Sequence, residues 1–225
     1  MDVLYYIGGG SHYQNRELRY SLRALAKHCK DVGNVWIVGN RPAFLANNIK
    51  YLWIEDSGMW WQNAFHKTMA AIEAGISENF LLMNDDFYML KNFTAATYPH
   101  YHKGDIHDCA QNKYQQVIVN TKRVLQSLGK PTKHYGVHCP MRINGGKYKH
   151  LKQFFDDKSD FGAVSARCLY GNLFCHGRQA SDNKGREVKN SSTGCFSSKD
   201  WTENGVFERL QELYPEPSPW ENDED

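Results

Sequence analysis

The sequence predicts an α/β fold, a mostly parallel central sheet with helices against both faces. Three observations predict it. Short, nearly continuous apolar runs such as "DVLYYIG" (2–8) read as strands covered on both sides, as parallel sheets require. These runs alternate with longer segments whose apolar residues recur at helical spacing. The 225 residues, 41% hydrophobic and 13% aromatic, are enough for one good-sized domain and exclude a disordered chain.

The elements follow in order. Residues 2–8 form a strand that ends in Gly8, Gly9 and Gly10. "NRELRYSLRALAKHC" (15–29) is a helix in which Leu18, Leu22, Leu25, Ala26 and Cys29 make the face that packs on the sheet. Arg16, Arg19 and Arg23 form a second stripe near its start. "NVWIVGN" (34–40) and "IKYLWIED" (49–56) are strands. "WWQNAFHKTMAAIEAG" (60–75) is a helix with Phe65, Met69, Ile72 and Ile76 as its apolar stripe, which leaves Asn63 and Lys67 one turn apart on another face. "NFLLMNDDFYML" (79–90) is read as one strand, interrupted by Asp85 and Asp86.

Charge is uneven along the chain. Lys and Arg number 10 against 11 Asp and Glu over 1–112, 15 against 5 over 113–190, and 2 against 9 over 191–225. The middle third is the footprint expected for a polyanion or a phosphate-rich substrate, or else a solvated basic face. We read 1–112 as the ligand-binding half of a single domain, 113–215 as its basic acceptor-binding half, and 216–225 as an acidic, fraying tail. The six cysteines form no CxxC pair, so they are expected to be mostly buried thiols and not a zinc knuckle or disulfide framework. With no apolar run of about 18 residues and no basic, signal-like lead, the chain is expected to be cytoplasmic, without stable membrane insertion. Oligomeric state is not encoded in any pattern we find.

Ligands of open parallel sheets bind outside the carboxyl ends of the strands. The glycine run, the "GN" at 39–40 and the "NDD" at 84–86 all fall at that edge. Gly8, Gly9 and Gly10, followed by a helix bearing Arg16 and Arg19, suit a diphosphate through free N–H groups and positive charge. On an extended strand Asn84 and Asp86 point to one side and Asp85 to the other, so two oxygen-bearing side chains can address one Mg²⁺ or Mn²⁺ ion. The alternative is that both aspartates cap neighbouring loops.

The stretches "NRELRYSLRALAKH", "NVWIVGNRPAFL" and "NAFHKTMAAIEAGISENFLLMNDDFYML" resemble the core of Stealth-type sugar and sugar-phosphate transferases and of short phage and bacterial glycosyltransferase-like proteins. "YPHYHKGDI", "GVHCPM" and "LYPEPSPWE" extend the resemblance over most of the chain. It implies a single GT-A-like, Rossmann-like domain that binds a nucleotide sugar, with "NDD" in the place of a DxD motif. The sequence departs from that motif in having Asn84 first; the motif's last carboxylate, the usual metal contact, falls on Asp86. A histidine of the C-terminal half often completes the metal shell in such enzymes, which makes His138 and His176 candidates.

Transfer from a nucleotide sugar builds charge on phosphate oxygens, which metal, arginine, lysine or helix N-termini must neutralise. Asp86 with a metal, Arg19 and Lys67 are the first candidates, with Lys199 as a further contact to the donor phosphate unless "FSSKDW" (196–201) simply caps a helix through Ser198 or Asp200. An inverting reaction also needs a base, for which Asp85, Asp182 and His138 are available. Trp60 and Trp61 either pack in the core or stack on a ring. For the acceptor three classes stay open: a saccharide or lipid-linked glycan, an anionic glycan included, hydroxymethylated pyrimidines in DNA with Lys147, Lys149 and Lys152 on phosphates, or a protein. Two other readings stay open, a sugar-phosphate transferase and a non-catalytic module that binds DNA or nucleotide sugar.

Overall fold

The computed structural model describes residues 1–9, 11, 13–57, 59–155, 162–202 and 204–222. Gly10 and residues 223–225 of the acidic tail therefore lie outside the described residues. The chain runs β1 (Asp2–Ile7), α1 (Arg16–His28), β2 (Val35–Gly39), β3 (Lys50–Leu52), α2 (Trp60–Glu73), β4 (Asn79–Met83), β5 (Phe87–Met89), β6 (Tyr101–His102), α3 (Lys113–Ser127), β7 (Met141–Asn144), α4 (Gly145–Lys149), α5 (Ala166–Phe174), β8 (Arg178–Gln179), β9 (Lys184–Gly185), β10 (Cys195–Ser198) and α6 (Val206–Leu213).

The central sheet has the order β3-β2-β1-β4-β7. β1, β2, β3 and β4 are parallel, with Leu4 of β1 between Trp36 of β2 and Leu82 of β4; β7 joins β4 antiparallel, Leu82 opposite Met141. Alternation along β1 sends Val3, Tyr5 and Ile7 to one face, where they meet Leu18, Leu22 and Leu25 of α1. Leu4 goes to the other face, with Phe65 of α2, Leu125 of α3 and Leu169 of α5. Each fully buried leucine contributes about 1.5–3 kcal/mol, so the two faces together hold the sheet edge rigid. A smaller sheet, β5-β10-β9, packs with α6 through Tyr88, Phe196, Trp201 and Leu210.

Two expectations are corrected here. Residues 79–90 are not one strand: β4 stops at Met83, and residues 84–86 turn the chain into β5 of the second sheet, with the Phe87 N–H donating to the Asn84 carbonyl at 3.3 Å. The polar triplet cannot be paired within a covered sheet, so it becomes the corner between two sheets. Likewise β3 covers only 50–52 of the expected 49–56, leaving Trp53 62% exposed and Asp56 in a loop. Cys29, Cys139, Cys168 and Cys195 are buried thiols, Cys175 is half-buried and Cys109 exposed. Among the described residues no helix is long and apolar enough to cross a membrane.

Candidate functional site

A cleft of about 410 Å³ opens at the carboxyl ends of β1 and β4, on the α2 side of the sheet. Its floor comes from Tyr6, Gly8 and the corner residues Asn84 and Asp85. One wall is the start of α2, with Trp60, Trp61, Asn63 and Lys67; the other is the start of α5, with Ser165, Ala166 and Arg167. His138 and Tyr114 close the rim. Two helix N-termini therefore face the same space. Their first N–H groups have no acceptor inside the helix, and they carry partial positive charge.

The corner sets the direction of each polar side chain. Asn84 turns toward β1 and accepts from the Tyr6 hydroxyl at 2.8 Å. Asp86 turns the other way: its Oδ2 accepts from Ser197 Oγ at 2.6 Å and from Lys184 Nζ at 3.2 Å, tying together the three strands of the second sheet. Asp86 is thus not among the cleft-lining residues, and it does not share a side with Asn84, because the turn cancels the strand alternation that predicted it. Asp85 lines the cleft instead, together with Asp56, which is paired with Lys67. Burial, and then the neighbouring Asp86 charge, push the Asp85 carboxyl up to about 7.

Other predicted residues fall into three groups. Gly8, Asn63, Lys67, Asp85 and His138 line the cleft together. Gly9 is beside it, its N–H donating to Asp56 Oδ2 at 3.2 Å. Asn63 Oδ1 accepts from the N–H (2.8 Å) and hydroxyl (2.7 Å) of Ser57, which fixes the loop before α2. Lys67, expected one turn from Asn63 on a face away from the apolar stripe, is only 2% exposed; its Nζ donates to the Ile7 carbonyl (2.6 Å) and Asp56 Oδ1 (2.5 Å). It clamps the end of β1 to the cleft wall. His138 has a φ of 50°, in the left-handed region, and its Nδ1 pairs with Asp182 Oδ1 at 2.6 Å. Asp182 also accepts from Lys103 Nζ at 2.8 Å; burial would raise its carboxyl, but His138 and Lys103 hold it well below the usual carboxylate range.

The remaining residues are placed elsewhere. Arg16 and Arg19 line a separate cleft on the α1 side of the sheet. Lys199 is exposed after β10; Ser198 is buried in β10 and Asp200 makes a turn by accepting from the Thr202 N–H at 2.9 Å, so neither Ser198 nor Asp200 caps α6, whose N-cap is Gly205. His176 is exposed beyond α5 and is not among the residues lining the cleft. Among the described residues no three His, Cys, Asp or Glu side chains gather closely enough to hold a metal ion by themselves; Asp86 pairs with Ser197 and Lys184 and does not line the cleft that His138 lines. Lys147, Lys149 and Lys152 are exposed on and after α4 and do not line the cleft.

Arg167 was not anticipated. Its Nε donates to the Tyr135 carbonyl at 2.9 Å and its Nη2 to the Cys139 carbonyl, which aims the guanidinium at the cleft from the first turn of α5. The available signal was "VSARC": Ser165 as helix N-cap, accepting from the Cys168 N–H at 3.3 Å, with an arginine in the first turn.

No family model matches this sequence, and no curated protein sequence matches it. Solved structures do match in shape. The galactosyltransferase LgtC, solved in complex with donor and acceptor sugar analogs, superposes with a TM-score of 0.50 at 13% identity, covering 96% of this chain and 95% of that one. An active-site mutant of LgtC matches at 0.49 and 12% identity, covering 95% of each chain. Apo mouse xyloside xylosyltransferase 1 matches at 0.43 and 11% identity, covering 95% of this chain and 94% of that one. The first likeness shows a fold shared with LgtC; the other two are too distant to add to it. The mostly parallel sheet and the cleft at its carboxyl edge agree with the α/β reading.

Proposed function

We propose that this chain is a glycosyltransferase that binds a nucleotide-sugar donor in the cleft between α2 and α5. The observation that carries the proposal is the convergence of two helix N-termini and the Arg167 guanidinium on one concave space that also holds Asp85 and His138. In the transfer step the bond from the anomeric carbon to the diphosphate breaks and the acceptor oxygen takes its place. Negative charge grows on the leaving phosphates. Arg167 and the N-termini of α2 and α5 are fixed before the reaction and oppose that charge with little reorganisation.

A divalent cation fits the residues present. Asp85 is a carboxylate pushed up by burial and by a like charge, a condition that a cation relieves. His138 has its Nδ1 tied to Asp182, the arrangement that orients an imidazole so that its other nitrogen can bind metal. Asp85 and His138 would hold the ion, substrate oxygens and water would complete its shell, and it would neutralise the leaving diphosphate. On this reading Asp86 acts at one remove, by fixing the corner that presents Asp85.

For the acceptor, the rim favours a saccharide over DNA. Trp60 and Tyr114 are 49% and 38% exposed, with ring centroids 5.6 Å apart and planes 32° from parallel, a surface suited to stacking a sugar ring. LgtC was itself solved with donor and acceptor sugar analogs. The lysines expected to grip DNA lie off the cleft.

The test is a panel of nucleotide sugars with Mn²⁺ or Mg²⁺, with a saccharide pool or hydroxymethylated DNA, read by mass spectrometry. Nucleoside diphosphate released with a hexose or pentose added to a saccharide is the expected result. Arg167→Gln should lower kcat/KM about 10²–10³-fold, as for loss of one preorganised donor. A monophosphate with a phosphodiester product would replace the proposal with sugar-phosphate transfer, and no turnover of any donor would refute it.

A further inference from the structure

Tyr6 and Asn84 meet one residue beyond the last paired residues of β1 and β4. The register sets Tyr5 beside Met83, both on the α1 face, and so sends the residue after each of them to the α2 face, where Tyr6 and Asn84 line the cleft. The Tyr6 hydroxyl donates to Asn84 Oδ1 at 2.8 Å, and among the described residues it makes no other hydrogen bond.

That bond decides which end of the amide is left for a ligand. A phenol has one proton and keeps it at neutral pH. With the amide turned round, its N–H groups would point at Tyr6, and the phenol's proton would have no acceptor in a half-buried place. Arg167 lines the same cleft, near enough for its charge to act on Tyr6; it draws the lone pairs of the phenol oxygen toward itself and leaves the proton for Asn84. The backbone is fixed as well, because the Asn84 carbonyl accepts from the Phe87 N–H at 3.3 Å. Arg167 Cζ lies 5.9 Å from the Phe87 ring centroid, which sets the amide and the guanidinium at one end of the cleft.

Asn84 therefore keeps two amide protons that, among the described residues, have no acceptor. An amide nitrogen donates to oxyanions and offers a cation no lone pair. An aspartate at this place would do the reverse: with one oxygen held by Tyr6, its other oxygen would face the cleft, attract a cation and repel phosphate.

We propose that Asn84 is a hydrogen-bond donor to the diphosphate oxygens of the substrate, held in that orientation by Tyr6 as a positioning residue, and is not a ligand of the cation. The cation then has Asp85 and His138 as its protein ligands. This inference rests on the reading of the cleft as a nucleotide-sugar site.

The test uses the full chain and two probes: inorganic pyrophosphate in the presence of EDTA, titrated by calorimetry, and Mn²⁺ alone, read by the loss of its free electron paramagnetic resonance signal. Asn84→Ala should weaken pyrophosphate binding about tenfold or more, the loss of one hydrogen bond to a charged group, and leave the Mn²⁺ affinity at the wild-type value. Unchanged Mn²⁺ binding also shows that the corner keeps its shape. Asn84→Asp should weaken pyrophosphate further than Asn84→Ala. Tyr6→Phe, which frees the amide to turn, should weaken pyrophosphate by a smaller factor without moving Mn²⁺. A fall in Mn²⁺ affinity in Asn84→Ala, or pyrophosphate affinity unchanged by that substitution, would overturn the inference. If Arg167→Gln weakens pyrophosphate in that case, the reading of the cleft still stands. No pyrophosphate binding by the wild type at millimolar concentration, or binding that Arg167→Gln does not weaken, would overturn both.

Discussion

Lys67 and Asp56 offer the sharpest test of how the first cleft is built. The lysine is buried beneath the cleft wall, its side chain 3% exposed, and it has two acceptors, the Ile7 carbonyl and Asp56. Removing one partner of a fully buried pair costs about 3–5 kcal/mol, because the other charge is stranded. The Asp56 side chain is 35% exposed, so water recovers part of that cost, and we expect Asp56→Ala to destabilise by about 2–3 kcal/mol. For a chain of this length that is a fall in Tm of roughly 4–12 °C. Lys67→Met should be milder, about 1 kcal/mol, since it removes the buried charge and fills its volume, while Asp56 still faces water and the Gly9 N–H. The double variant should resemble Lys67→Met, giving a coupling of about 2–3 kcal/mol. Urea unfolding of the four proteins, with equal m-values, measures this cycle. Additive losses, or a larger loss for Lys67→Met than for Asp56→Ala, would show that the pair is not the clamp described here.

Two further outcomes test the packing. Asp2 is 8% exposed; burial alone would raise its carboxyl, but the N–H groups of Asn34 (2.9 Å) and Ser77 (3.1 Å), then the Trp36 indole (3.1 Å) and the Asn34 amide, hold it below the usual value. A depressed carboxyl contributes stability that is present above the unfolded pKa of about 4 and is lost as pH falls through the folded value; Asp2→Asn should flatten the acid limb of a stability-against-pH curve in that window, and an unchanged limb would refute the assignment. In α5, a Cβ on Gly171 would lie 2.3 Å from the Tyr135 ring, so Gly171→Ala should destabilise by about 1–3 kcal/mol despite alanine's better helix propensity; a stabilised variant by thermal melt would refute the contact.

The α/β class, α1, α2 and the first two strands could be read from the sequence because periodicity and strand composition are local properties of the chain. Leu18, Leu22 and Leu25 face the sheet because helical spacing leaves them no other side, and Val3, Tyr5 and Ile7 face α1 because strand residues alternate. The placing of a binding edge beside Gly8 and "NDD" was legible for a similar reason: strand ends in a parallel sheet all point one way. What each polar residue does there was decided only by tertiary structure. A turn at 84–86 gave Asp85 to the cleft and Asp86 to Ser197 and Lys184, a choice that depends on β10, more than a hundred residues later in the chain. Arg16 and Arg19 went to the other side of the sheet because the leucine face of α1 fixes the rotation of the helix, and with it the direction of every other side chain it carries. Arg167 entered the cleft because α5 packs against the α2 face of the sheet, a contact between segments about a hundred residues apart that no local pattern records. Periodicity determines which face of an element is buried; only the packing of distant elements determines which polar groups then share a space.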